Sequence, residues 1–437
     1  MQQPLITRAT PAAWTVWAVG VVTYGVAIMQ RTSLGVVGIQ ASEHFGTTVG
    51  IISTFVVVQL ATYAVMQIPV GLMLDRFGSR AVMTAGGLIM GLGQVVMATT
   101  DLLPVAIGAR ILLGMGDACI FSSIVRLLPF WFPSRQVPVL IQFSGVMGQL
   151  GQIAAVGALL PLTLHSGWQT AFLFAAACAF AIAVVCVLTV RDTPKGSPRV
   201  RSAEPLREVP RSLTAVVRHP ATTLGFWIHF TAGFPNIVFV MMWGIPFLKI
   251  VQGLDDAQAS GLFVLVSVLA AAFSPTIGWL TGRHPLRRSN LALIVIGSNL
   301  ACWVAVLLWP GPAPMWLLVL LIAALAASGP GGVIGLDLAR TNLPLHRLGT
   351  ASGVVNAGSF TGSTIGILLV GIVVDALSRR GTYTAEELRL AMAAQLPLFA
   401  VGLAGILISR RALRRRMAAD GVVVPSWREV VKRYRRN

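Results

Sequence analysis

The chain has 437 residues, of which 55% are hydrophobic and 11% charged, and it carries a formal net charge of +18. A soluble domain is roughly 25% charged, so most of this chain cannot face water and a string of soluble domains is excluded. Excess positive charge would suit a nucleic-acid partner, but the basic residues sit between apolar stretches rather than along one polar surface, and no nucleic-acid partner is expected.

A membrane-crossing helix needs about 20 mainly apolar residues. Twelve such stretches occur, at residues 14–38, 49–74, 81–100, 102–128, 137–161, 168–190, 222–248, 257–281, 290–309, 315–338, 349–376 and 388–409. Each is expected to be helical, because lipid offers no partner to bare backbone groups. Their polar residues recur at helical spacing, not with the alternation of a membrane β-barrel. The first stretch is longer than a signal-peptide core and is followed by no small-residue cleavage site, so it is expected to be retained. The four cysteines, Cys119, Cys178, Cys186 and Cys302, all fall within these stretches without metal-ligand spacing, which marks them as packing residues.

Of the 33 Lys and Arg, Arg31 and Arg110 lie inside spans, and Lys249, Arg379, Arg380 and Arg389 fall on one side of the predicted bundle. The rest share the other side. This positive-inside asymmetry puts both termini in the cytoplasm of a protein of the cytoplasmic (inner) membrane.

Residues 191–221 are polar, basic and proline-rich, as befits a linker. They separate an N-terminal six-helix half (1–190) from a C-terminal six-helix half (222–410), and a basic tail (411–437) follows. In the tail, Trp427, Val430, Val431 and Tyr434 share a helical face, Arg428, Lys432, Arg433 and Arg435 lie away from it, and Ser426 and Glu429 have capping-box spacing. A short amphipathic helix on anionic membrane lipids is expected there. The halves echo one another: Gly71, Arg76 and Arg80 match Gly278, Arg283 and Arg287 at a constant offset, while Asp75 is replaced by Gly282. Such a repeat suggests two halves related by an axis along the membrane normal.

The stretch "GLMLDRFGSR" carries Gly71, Asp75, Arg76, Gly78 and Arg80. It resembles the signature G-x-x-x-D-R/K-x-G-x-R/K between the second and third spans of the major facilitator superfamily of secondary transporters. The resemblance implies an all-α fold of twelve transmembrane helices in two six-helix halves, and an inner-side conformational latch built on this loop. Physically, Asp75 can pair with an arginine or accept bonds at a helix N-terminus. Because Gly282 lacks the acid, a symmetrical second latch is not expected. Arg110, Gly114 and Gly116 in the fourth span are also similar to the family. Gly145, Gly148 and Gly151 in the fifth lack the Gly-Pro pair of the family's drug–proton antiporters, which counts against a multidrug exporter.

An ionisable side chain at mid-bilayer costs at least about 2.5–3.5 kcal/mol, so it should face a bundle interior or a wet cavity. Arg110 and Asp117 are seven residues apart and share one face, with Gly114 between them. Tyr24 and Arg31 share a face of the first span; Gln59, Tyr63 and Gln67 line the second; Gln142 and Gln149 the fifth. In the second half, His229 and Asn236 lie seven apart beside Pro235, and Asn356, Ser359 and Ser363 mark the eleventh span. Asp337 and Asp375 fall near span ends and are expected to be loop or cap residues.

Arg31, Arg110, Tyr24, Gln59, Tyr63, Gln142, Gln149, His229, Asn236 and Asn356 are therefore expected to bind a small-molecule substrate. Two mid-membrane arginines against one aspartate favour an anionic metabolite. Asp117 is the expected proton-coupling group, its titration raised by burial and lowered by Arg110. No phosphate-binding Gly-rich loop, catalytic constellation or cofactor motif occurs, so the expectation is a secondary active transporter, driven by a proton gradient, and not an enzyme. A drug or metabolite efflux transporter is the alternative.

Overall fold

The computed structural model describes residues 8–47, 49–196, 207–377 and 384–422. The proposed amphipathic helix at 426–435 lies outside them. The first half comprises α1 (Pro11–Val36), α2 (Val49–Phe77), α3 (Ser79–Thr99), α4 (Leu103–Trp131), α5 (137–166) and α6 (168–189). The second comprises α7 (Pro220–Val251), α8 (Asp256–Arg283), α9 (Arg288–Leu308), α10 (Met315–Asn342), α11 (Leu348–Leu377) and α12 (Ala385–Ala419).

Residues Val137–Thr189 form one run of 53 helical residues, far more than one crossing needs. Gly167, at φ +84°, breaks it into α5 and α6. Only a residue without a Cβ takes that backbone conformation cheaply, so a single glycine turns the chain back through the membrane. The other ends follow ordinary capping chemistry. Thr10 accepts from the Ala13 amide at 3.3 Å ahead of Pro11. Asp255 and Gln258 form a capping box at α8, as Thr384 and Glu387 do at α12. His219 caps α7 by accepting the Ala221 amide on Nδ1. Burial and the Arg416 charge hold its pKa below the usual histidine value, which keeps that nitrogen an acceptor.

Two large apolar cores fill the bundle, and the one centred on the first half also takes in Leu336, Ala339, Ala351 and Val355 of the second. One runs through Phe234, Phe239, Phe247, Trp303 and Phe399; the other through Met83, Met90, Leu113, Ile120 and Ile141. Large apolar side chains also cover the outside, among them Val65, Leu188, Leu308 and Ile408, each more than 65% exposed. A surface like that is stable only against lipid. α7 is irregular beyond Val238, with π-helical turns at Phe239–Trp243 and Phe247–Val251 flanking Gly244 and Pro246.

Between the termini of the linker, the chain forms a short helix, Val209–Val217, that puts Val216 into the first half's core.

Candidate functional site

The two halves meet along α2–α11 and α5–α8. The α2–α11 seam is made of glycine. A Cβ on Gly71 would stand 2.6 Å from the Gly349 carbonyl oxygen and 2.8 Å from the Thr350 Cα. Backbone therefore lies on backbone there. The α2 end of the seam carries Asp75, 4% exposed. Its carboxylate accepts from the Gly349 amide at 2.7 Å, the Thr350 amide at 2.8 Å and the Thr350 hydroxyl at 2.7 Å. Those amides open α11, where the helix dipole and the free N–H groups favour an anion. The buried Arg126 of α4 lies 3.7 Å from Asp75. Gly78, at φ +87°, turns the chain into α3, packed against the Asp192 carboxylate that accepts the Arg80 amide at 3.0 Å. Arg76 and Arg80 are exposed.

Deeper in the seam, Asn356 of α11 donates to Gln67 at 2.8 Å and to the Tyr63 hydroxyl at 3.3 Å. Ser122 of α4 donates to the same Gln67 oxygen at 3.0 Å, and Tyr63 packs on Phe360, ring centroids 4.4 Å apart. On the other seam, Gln142 donates to the Pro330 carbonyl at 2.8 Å.

Asp117 of α4 faces α1. Arg31 grips it with Nε at 2.6 Å and Nη2 at 3.0 Å, a bidentate pair. The Arg31 guanidinium also lies 4.8 Å from the centre of the Tyr63 ring. Tyr24 stacks obliquely on Phe121, 5.1 Å away. The cation of Asp117 is therefore Arg31, on another helix, and not Arg110 on its own.

Arg110 is fully buried and points elsewhere. Its Nη1 donates to Ser33 and to Gln59, both at 3.3 Å. Its Nε and Nη2 have no hydrogen-bond partner among the described residues. Gln94 ties this region together, donating to Gln30 at 2.6 Å, and Gln30 donates to the Ala175 carbonyl at 2.7 Å. Gln30, Ser33 and Gln94 carried only a weak sequence signal: single polar residues in otherwise apolar spans.

The remaining predicted positions are scattered. His229 is 8% exposed with its Nδ1 unpartnered, and the Asn236 side-chain oxygen is likewise unpartnered. Gln149 is exposed where α5 loosens after Gly148. Asp337 departs from the sequence expectation: it is 1% exposed within α10 and bound by Arg340 at 2.9 Å. Among the described residues, no group of three or more His, Cys, Asp or Glu gathers to hold a metal.

The comparisons with known proteins agree with this architecture. The chain is 22% identical over 383 residues to a probable sulfoacetate transporter of Cupriavidus necator, covering 82% of this chain and 86% of that protein. It is 24% identical over 351 residues to a probable galactarate/D-glucarate transporter of Escherichia coli, covering 72% and 78%. It is 26% identical over 334 residues to a chloramphenicol resistance protein of Pseudomonas aeruginosa, covering 72% and 74%. A crystal structure of FucP, a transporter in the outward conformation, superposes with a TM-score of 0.65 at 13% identity, over 90% of this chain and 98% of that one, which shows the fold. The model of the Major Facilitator Superfamily matches residues 20–367. With the paired six-helix halves, the intact loop motif and a lipid-facing exterior, that match makes this chain a multi-pass membrane transporter belonging to the Major Facilitator Superfamily.

Proposed function

We propose that the chain is a secondary transporter of small organic anions, carboxylates or sulfonates, working by alternating access across the cytoplasmic membrane and coupled to protons. One observation carries the reading. The interior of the first half holds three guanidinium groups, Arg31, Arg110 and Arg126, against two carboxylates, Asp117 and Asp75, and Arg110 has two buried nitrogens without a partner among the described residues. An uncompensated buried cation is costly, and an anionic substrate is the group that would relieve it. Relatives named for sulfoacetate and for galactarate/D-glucarate support the same chemistry.

The coupling follows from the Arg31–Asp117 pair. A substrate anion reaching Arg31 competes with Asp117 for the same bidentate edge. Protonation of Asp117 releases Arg31, so a proton and an anion bind together. That is linkage between two ligands through one shared cation. Asp75 latches the basic side shut by holding the start of α11. His229, Asn236 and Asn356 supply the second half's polar surface. Asn356 already bridges the halves.

The test is flux in proteoliposomes. A panel of small sulfonates and dicarboxylates should accumulate when a pH gradient is imposed and stop when a protonophore dissipates it. The chloramphenicol resistance relative favours a second reading, drug export. Drug efflux in the same vesicles, without anion uptake, would replace the first reading with that one.

A further inference from the structure

The second half holds a cleft where the latch motif lost its acid. It measures about 680 Å³ and is lined by Arg135, Trp279, Gly282, Arg283, Arg288 and Arg340, and among the described residues no acidic one lines it. Gly282 is the repeat counterpart of Asp75. In the first half, the acid at that place holds a helix start and lies beside a buried arginine. In the second half, the chain running into α5 lies against Gly282, whose Cβ would come 2.7 Å from the Arg135 carbonyl oxygen. α5 starts at Val137 with no side chain capping it. A buried arginine is present too. Arg340 is 2% exposed; its Nε binds Asp337 at 2.9 Å, and its Nη1 is buried without a partner among the described residues. Arg288, 4% exposed, is spent on the Thr281 and Asp337 carbonyls and the Thr341 hydroxyl. Arg283 and Arg135 are exposed at the rim, Arg283 standing 5.0 Å over the Trp279 ring.

We infer that this cleft is a binding site for a phosphate-type oxyanion, which ties the α5–α8 seam. Four arginines meet here with one neighbouring carboxylate, that of Asp337, and the surplus positive charge suits a tetrahedral anion with many acceptor oxygens, which guanidinium forks match in pairs. Phosphate free in solution and the phosphate of an anionic lipid headgroup share this chemistry. The site is separate from the Arg31–Asp117 pair and does not depend on what is transported.

The experiment uses the purified full-length protein. In maltoside micelles, radiolabelled inorganic phosphate should bind saturably, one per chain. In lipid nanodiscs without phosphate, phosphatidylglycerol should raise the melting temperature if the headgroup is the occupant, and added phosphate should compete that shift away. Removing both rim charges, Arg135→Gln with Arg283→Gln, spares the buried packing and should weaken either response about tenfold. Arg340→Gln should abolish it, with elution as a monodisperse species checking the fold. No saturable phosphate binding together with no response to phosphatidylglycerol overturns the inference. So does binding that the rim double variant leaves unchanged.

Discussion

Replacing Asp117 by asparagine tests the coupling proposal most directly. The carboxylate presents one oxygen to Arg31 Nε at 2.6 Å and the other to Nη2 at 3.0 Å. Asparagine keeps one acceptor and turns an N–H₂ donor toward the second guanidinium nitrogen. One charge-assisted hydrogen bond is lost, worth about 1.5–3 kcal/mol. At 2% side-chain exposure for the aspartate, solvent screens little of that. In the wild type an arriving anion must first displace Asp117. In the variant that competition falls by the same amount, so an anionic substrate should bind roughly 10- to 150-fold tighter. The variant cannot take up the proton that restores the cycle, so accumulation driven by a pH gradient should vanish while substrate exchange continues. Acid does to the wild type what the substitution does permanently. Wild-type affinity should therefore rise as pH falls, and variant affinity should stay flat. Equilibrium binding of a labelled substrate, read beside counterflow and gradient-driven uptake, decides the matter. A variant that binds no tighter than wild type and still accumulates substrate refutes the shared-cation mechanism.

Arg110→Lys keeps the charge but loses the planar fork and should weaken substrate binding more than tenfold; normal transport by Arg110→Ala would remove Arg110 from the substrate site. Asp75→Asn should open the basic side, raising thiol labelling of a single cysteine placed at the buried Ser352, and unchanged labelling with unchanged transport would dismiss the latch. Gly71→Ala drives a methyl into the Gly349 and Thr350 backbone and should mimic Asp75→Asn, whereas Gly261→Ala, with open space at its Cβ, should leave labelling alone and stabilise α8 by up to about 1 kcal/mol.

The spans were legible because lipid leaves a simple mark: about 20 apolar residues between polar loops. The loop motif was legible because its residue types and spacing are individually demanding. Partners across the bundle were not. Seven-residue spacing showed that Arg110 and Asp117 share a face of α4, but a helix face says nothing of which neighbour packs on it. Arg31, 86 residues from Asp117, claims that carboxylate, while Arg110 turns to Ser33 and Gln59. Asp337 read as an end residue because its span stops nearby. The helix continues to Asn342 and buries the aspartate with Arg340. The return between the fifth and sixth stretches was legible in the gap between residues 161 and 168, although the spacing did not show that Gly167 alone, at positive φ, makes the break.

The glycine seam between α2 and α11 bears on how fast such a protein can cycle. Where Gly71 meets Gly349, and Gln67 meets Gly353, the facing surfaces are largely peptide groups. Parting them exposes little hydrocarbon, and hydrophobic resistance scales with the apolar area uncovered, at about 25 cal/mol per Å². Interlocked leucines would set a steep barrier to separation. Beyond the Tyr63–Phe360 ring contact, much of the resistance lies in a few polar contacts at Asp75 and Asn356, which water can replace as the seam opens. The conformations on either side of that opening can then lie within a few kcal/mol of each other, close enough for one bound solute to redistribute the population.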